Sequence, residues 1–138
     1  MTDVNLVYKK LTLIESYVRE LRTFAQPDKI QMDIKEQRFE ERTLQMAIQA
    51  AFDIAAHIVA EERYGVPDAN RGFFELLIRY GWLPQDLAEP LSKMVGFRNI
   101  LVHSYERVDP AEVEKIVRHH LDDLLDFVKA IRARLASA

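Results

Sequence analysis

The sequence predicts an all-α protein, a single domain over residues 1–138 that folds as a four-to-five-helix up-down bundle. Three observations predict this fold class. Apolar residues recur at spacings of three and four along nearly the whole chain, which is the helical period. No segment shows the strict alternation of a half-buried strand. The length suits one domain with one core, and a composition of 49% hydrophobic and 30% charged residues is that of a globular protein.

The first two predicted helices are long. The first helix runs from the N-terminus toward Pro27, where proline ends it, and its apolar seam consists of Val4, Val7, Leu11, Ile14, Val18, Leu21 and Ala25. The second helix is predicted over residues 34–64, with Gly65 as its stop signal. Because residues 44–60 are apolar around most of the helix circumference, we expect this helix to be the most buried of the bundle.

The remaining predicted helices are shorter. Residues 73–78 predict a third helix that stops at Gly81, and Pro90 is expected to restart or kink the helix that follows Pro84. The clearest helix start is Asp109, which provides an N-cap directly before a proline. From there the seam predicts one final helix; its residues are Val113, Val117, Leu121, Leu124, Val128, Ile131 and Leu135.

Composition excludes several function classes. The chain has no cysteine, which excludes disulfides, thiolate metal sites and cysteine nucleophiles. Its four glycines are too far apart for a phosphate-binding loop or a dinucleotide fingerprint. A net charge of −3 provides no overall field that attracts nucleic acid, so RNA would need a local basic patch. Since neither a signal peptide nor an uninterrupted apolar span is visible, we expect a cytoplasmic protein without membrane contact.

Residues with catalytic potential are concentrated in segment 96–105, just before the Asp109 cap. His103 titrates near neutral pH and can take a proton from a ribose 2′-hydroxyl or give one to a leaving 5′-oxygen. Arg98 offers paired donors to a phosphate and to the charge that grows in the transition state. The same residues also fit a structural interpretation, in which Arg98 pairs with a carboxylate and His103 satisfies a backbone carbonyl.

Helical geometry separates Arg98 from His103. Five residues on a continuous helix rotate by about 140°, so these two residues do not share a face, whereas Asn99 and His103 do. Either the helix breaks near Val102, or a two-fold partner supplies half of the groups. We favour a homodimer with a composite cleft, because Gly96 costs a helix about 1 kcal/mol and permits close approach of another backbone.

Arg98, His103 and Tyr105, with Asn99 after the arginine, match the pattern R-x4-H-x-Y. This pattern resembles the signature of HEPN-domain proteins, and more narrowly that of the HepT toxins in bacterial and archaeal MntA–HepT toxin–antitoxin systems. The resemblance covers most of the chain. It extends in order and spacing to residues 53–58, 65–67, 73–77 and 93–99.

The resemblance implies a homodimeric, metal-independent endoribonuclease without a cofactor. Arg98 and His103 would carry catalysis, and cleavage of RNA would leave a 2′,3′-cyclic phosphate and a 5′-hydroxyl. It also implies a partner, an MntA-like nucleotidyltransferase antitoxin that transfers AMP to Tyr105. Such an adduct near His103 would add negative charge where an RNA phosphate must bind. Without the resemblance, Tyr105 is better interpreted as an amphipathic packing residue.

Polar residues recur at intervals of four along the second predicted helix. They are Glu41, Gln45, Gln49, Asp53, His57 and Glu61. One interpretation is a solvated strip. The other is that Asp53 and His57 form hydrogen bonds across a dimer seam or orient the catalytic segment, with Asn99 as a further supporting residue. Two potential ligands are too few for a metal site, so none is expected. Gln49 departs from the resemblance, in which a glutamate is frequent.

Two further expectations concern charge and function. Lys93, Arg98 and Arg107 outnumber Glu106 around the motif, and with Arg118 they form a candidate basic patch for RNA phosphates; no DNA is expected. A second function class stays open, in which the chain is a non-catalytic HEPN scaffold or the substrate-binding partner of a nucleotidyltransferase. The intact Arg98–His103 pair argues against that alternative.

Overall fold

The structure, a computed structural model, describes residues 2–103 and 108–137, with the backbone alone at residues 101–103. The described residues form six α-helices and two short 3-10 turns, at Pro27–Lys29 and Gln85–Leu87. The helices are α1 (Val4–Phe24), α2 (Ile34–Glu61), α3 (Gly72–Arg79), α4 (Ala88–His103), α5 (Pro110–His119) and α6 (Leu121–Ser137). Since the described ranges contain no strand, the predicted all-α class is confirmed.

Helix α2 is the centre of the bundle and packs against all five other helices. Its buried alanines let neighbouring helices approach closely, and its buried isoleucines fill the space between them; these residues are Ala47, Ile48, Ala50, Ala51, Ile54, Ala55 and Ile58. By length and composition, α2 is the one described helix that is long and apolar enough to cross a membrane. More than half of that stretch is buried inside the bundle, as expected of a core helix.

Aspartate side chains cap three of the helices. The Oδ1 atoms of Asp3, Asp33 and Asp109 accept hydrogen bonds of 3.1, 2.9 and 2.9 Å from backbone amides in the first turns of α1, α2 and α5. Each such cap satisfies an amide that has no partner within its own helix and stabilises that helix by about 1 kcal/mol. The helix start predicted at Asp109 is therefore confirmed.

Two long helices end earlier than the sequence predicts. Helix α2 ends at Glu61 because Arg63 adopts a left-handed backbone conformation (φ 57°) and Gly65 follows with φ 114°. Helix α1 ends at Phe24, and Pro27 begins a 3-10 turn instead of terminating the helix directly. The two helices were thus predicted a few residues too long, with ends at residues 27 and 64.

The predicted final helix is in fact two helices. The described residues therefore form six helices, one more than the largest number predicted. Helix α5 ends before His120, whose backbone has φ −124° and ψ 5°, and α6 begins at Leu121. Val117 and Leu121 are both buried on either side of the break. Their spacing of four passes through it unchanged, so apolar periodicity does not reveal it.

Helix α4 runs without interruption to His103, with Pro90 in its first turn, where a missing amide removes no helical hydrogen bond. A break between Arg98 and His103, one of the two predicted alternatives, therefore does not occur. Four buried side chains hold the helix against the bundle: Leu91, Met94, Val95 and Phe97. This packing turns Arg98 toward α2.

Candidate functional site

Arg98 is half-buried on the face of α4 that is turned toward α2. Its guanidinium carbon lies 5.2 Å from the centroid of the Phe52 ring on α2. Phe52 in turn contacts Phe73 of α3 edge to face, with ring centroids 5.4 Å apart. An aromatic ring attracts a cation over its face by about 0.5–1 kcal/mol at exposed sites and by more where water is excluded. The guanidinium therefore has a fixed support on one side.

Two amide oxygens hold the guanidinium at its edge. The Nε of Arg98 donates to Oε1 of Gln49 at 2.6 Å, and its Nη1 donates to Oδ1 of Asn99 at 3.0 Å. Within the part of the chain that the structure describes, Arg98 forms no ion pair with a carboxylate. By contrast, carboxylates bind four other arginines: Arg22, Arg38, Arg118 and Arg132. Among the described residues, neutral amides and not a carboxylate therefore hold the guanidinium of Arg98.

The polar stripe of α2 continues this site. The Nε2 of Gln49 donates to Oδ1 of Asp53 at 2.7 Å, and the other Asp53 oxygen lies 3.5 Å from Nζ of Lys10 on α1. At these positions the stripe is not merely a solvated strip, because it connects Arg98 through Gln49 to Asp53. The hydrogen bonds from Asp53 to Gln49 and from Gln49 to Arg98 are a path by which Asp53 can influence the orientation of Arg98.

His57 has a different role. Its Nε2 accepts a hydrogen bond of 3.0 Å from the backbone amide of Asp3, so the imidazole fixes the chain at the start of α1. Thr2 adds a second contact there, since its hydroxyl donates to Oε1 of Glu62 at 2.8 Å. Because His57 lies eight residues beyond Gln49, or about 12 Å along α2, the structure does not bring it to Arg98.

The second half of the motif lies at the edge of the described residues. His103 is the last residue of α4, but its side chain is not among those described; Tyr105 and Arg107 lie outside the described residues altogether. Positions 98 and 103 are about 140° apart around the continuous helix. Position 103 shares its face with Gly96, which is exposed and where an added Cβ would meet nothing within 4 Å. Packing within this chain therefore does not require the glycine.

Two members of the predicted basic patch around the motif, Lys93 and Arg118, have carboxylate partners. Lys93 pairs at 3.2 Å with a glutamate of its own helix. Arg118 binds Asp28 and, at 2.9 Å, Glu114, so its charge is compensated on α5. Among the described residues of that patch, Arg98 alone carries a positive charge without a carboxylate partner.

Three neighbours of the site have no signal in the sequence. They are Phe52, Lys10 and Asn70. The side-chain amide of Asn70 donates to Oδ1 of Asn99 at 3.5 Å, which links the loop before α3 to α4. An interval of four indicates that Gln49 shares a face with Asp53, but not which helix that face meets. Contacts between residues far apart in sequence leave no local pattern.

Comparison with known proteins adds an independent observation. The profile of a family described as Ribonuclease HepT-like matches residues 14–131. The chain is 31% identical over 130 residues to the mRNA nuclease HepT of Shewanella oneidensis, a match that covers 94% of this chain and 98% of that protein. It is also 31% identical over 142 residues to the tRNA nuclease HepT of Aphanizomenon flos-aquae, covering 98% of this chain and 95% of the relative.

Solved structures agree with the sequence comparison. The fold is similar to that of a tri-AMPylated Shewanella oneidensis HEPN toxin in complex with MNT antitoxin, with a TM-score of 0.83 and 31% identity. The match covers 96% of this chain and 99% of that one.

Proposed function

Because the chain belongs to the Ribonuclease HepT-like family, we propose that it is a metal-independent endoribonuclease and the toxin of a toxin–antitoxin pair. Two relatives named as nucleases of mRNA and of tRNA support RNA as the substrate class. Since both kinds of RNA are substrates found in the cytoplasm, we place the activity there.

In the proposed reaction, Arg98 binds the scissile phosphate and His103 exchanges protons. Attack of the ribose 2′-oxygen on phosphorus forms the 2′,3′-cyclic phosphate, and the bond to the 5′-oxygen breaks. His103 takes the proton of the 2′-hydroxyl or gives one to the leaving 5′-oxygen, and water exchanges the other proton. The observation that carries the proposal is that the neutral amides of Gln49 and Asn99 orient Arg98, which among the described residues has no carboxylate partner and so can bind an anionic transition state.

The geometry of α4 supports a homodimer. One copy does not readily converge positions 98 and 103 on one phosphate, since they lie about 140° apart on an uninterrupted helix. We propose that a symmetric pair meets through the face of α4 that holds Gly96, Ile100 and position 103, so that each copy supplies position 103 to the other copy. Ile100 is 51% exposed and Gly96 is exposed without a neighbour, so this face is open to such a contact.

We further propose that a nucleotidyltransferase antitoxin controls the toxin by transferring AMP to Tyr105. The structural relative that is tri-AMPylated and bound to its antitoxin supports this regulation. A phosphate-bearing group two residues from His103 would repel the RNA backbone. Intact-mass spectrometry after co-expression with the cognate nucleotidyltransferase is expected to find added AMP on Tyr105.

Alanine variants test the catalytic assignment. Wild-type protein is expected to cleave RNA in the presence of EDTA. His103→Ala and Arg98→Ala are each expected to reduce the rate by roughly 10²–10⁴, with helical content and molecular mass in solution unchanged. Full activity of His103→Ala would refute its role. No cleavage by the wild type, together with tight binding to a nucleotidyltransferase, would favour the non-catalytic scaffold.

Mixing the two inactive variants tests the composite site. If each cleft uses Arg98 of one copy and His103 of the other, a mixed dimer of Arg98→Ala and His103→Ala retains one complete pair. Co-refolded mixtures are then expected to regain activity far above either variant alone. A mixture that forms mixed dimers and stays inactive would contradict the composite cleft.

A further inference from the structure

Four side chains from three helices form a continuous chain of hydrogen bonds that ends at Arg98. Lys10 of α1 lies 3.5 Å from Oδ2 of Asp53, whose Oδ1 accepts from Nε2 of Gln49 at 2.7 Å. Oε1 of Gln49 then accepts from Nε of Arg98 at 2.6 Å. The two contacts of Gln49 are the shortest of the chain, so its amide is held on both sides.

The chemistry of the two ends fixes the direction of the amide between them. A guanidinium donates hydrogen bonds and cannot accept them, whereas an ionised carboxylate accepts and cannot donate. The side chain of Gln49 must therefore place its NH2 group toward Asp53 and its oxygen toward Arg98. The opposite orientation would set NH2 against guanidinium and oxygen against carboxylate, which costs both hydrogen bonds.

From this arrangement we infer that Gln49 is the positioning residue for Arg98 and that Asp53 acts through it by fixing the direction of the Gln49 amide. The inference rests on the proposed function, because it assigns these residues to the phosphate-binding arginine. Neither residue is placed in contact with the RNA. Lys10 has a secondary part, since its charge partly balances the Asp53 carboxylate.

The neutral amide also explains why the charge of Arg98 stays available. A carboxylate in direct contact with the guanidinium would orient it as well, but would compensate its charge. Gln49 provides the acceptor without the charge and separates Asp53 from Arg98 by one side chain. The described hydrogen bonds of Arg98 use its Nε and Nη1.

Variants at Gln49 separate orientation from charge. Gln49→Met removes the acceptor at similar size, and we expect kcat to fall roughly 10- to 100-fold because the guanidinium loses its alignment. Gln49→Glu keeps an acceptor but compensates the charge, so we expect KM for RNA to rise several-fold with kcat changed less. Asp53→Asn lets the Gln49 amide turn over, and we expect it to lower kcat by less than Gln49→Met does. The matched control is Gln45→Met, one turn earlier on the same stripe, which is expected to behave as wild type.

A spectroscopic measurement tests the inference without measuring activity. The Nε–Hε cross-peak of Arg98 in a 1H–15N NMR spectrum, assigned by its loss in Arg98→Lys, reports directly on the bond to Gln49. We expect it to be protected from exchange in the wild type, the Gln45→Met control and Gln49→Glu, and to be lost or broadened in Gln49→Met. An unchanged cross-peak and unchanged kcat in Gln49→Met would overturn the inference. If wild-type protein cleaves no RNA, the proposed function fails, while the cross-peak still decides whether Gln49 positions Arg98.

Discussion

Replacing Glu40 with glutamine is expected to stabilise the protein, and more strongly as the pH rises. Glu40 lies on α2 and is completely buried, and no donor of the described residues bonds to either of its carboxyl oxygens. Burial, followed by the negative charges of Glu36 and Glu114, raises the pKa of Glu40 to about 8. Arg118 offsets this effect only in part. At neutral pH the carboxyl is thus mostly protonated.

The magnitude follows from the difference between the two pKa values. In the unfolded chain Glu40 has an ordinary pKa of 4.5, so the folded state binds this proton more tightly. The stability that the proton contributes is fully present below pH 4.5 and is lost as the pH rises toward about 8. The loss is about 1.4 kcal/mol per pH unit, which amounts to about 3 kcal/mol at pH 7. Glutamine has a similar shape and does not titrate, so the free energy of unfolding of the variant does not fall with pH for this reason.

Urea unfolding of wild type and Glu40→Gln at pH 5 and pH 8, at one protein concentration, measures the effect. The free energies of unfolding should agree within about 1 kcal/mol at pH 5, and the variant should be more stable by about 4 kcal/mol at pH 8. Glu112→Gln, at an exposed position on α5, serves as the control for removing a carboxylate. A difference between Glu40→Gln and wild type that does not grow with pH refutes the reasoning.

Three further substitutions test packing, assembly and regulation. Gly72→Ala would place a Cβ 2.5 Å from the Cβ of Pro67, and should lower the free energy of unfolding by about 1–3 kcal/mol in urea; unchanged stability would contradict this packing. Gly96→Leu should convert the proposed dimer to a monomer of unchanged helical content in analytical ultracentrifugation, and a persisting dimer would place the interface elsewhere. Tyr105→Phe should keep RNA cleavage but abolish protection by the antitoxin in a growth assay, whereas protected growth would indicate another acceptor.

Most of the fold could be predicted because apolar spacing records which side of each helix faces the core. The seam of α1 is buried at Val7, Leu11, Ile14, Val18 and Leu21, while Val4 at its start is 43% exposed. Helix ends were harder to predict. The end of α2 depends on a left-handed backbone conformation at Arg63. Arginine rarely adopts this conformation, so the residue type does not predict it. The break at His120 leaves the apolar spacing intact and is therefore invisible to it.

The candidate site could be predicted only as far as a local motif extends. Arg98, Asn99 and His103 are close in sequence, so a short pattern indicates them. The hydrogen bond from Arg98 to Gln49 joins residues that are 49 positions apart, and its existence depends on how α4 packs against α2. The sequence shows that Gln49 and Asp53 share a face of one helix. It does not show that this face meets an arginine on one side and Lys10 on the other.

Electrostatics and geometry give separate reasons for the same assembly. The chain carries a net charge of −3, and two cations that flank the motif, Lys93 and Arg118, are paired with carboxylates, so Arg98 is the member of the described patch without a carboxylate partner. The proposed symmetric dimer would place two such guanidinium groups in one cleft, and phosphate affinity rises with the number of cations that contact the backbone. The same proposed pairing would supply position 103 of one copy to the other copy. Loss of the dimer should therefore weaken RNA binding together with cleavage, whereas a site contained in one chain would lose neither.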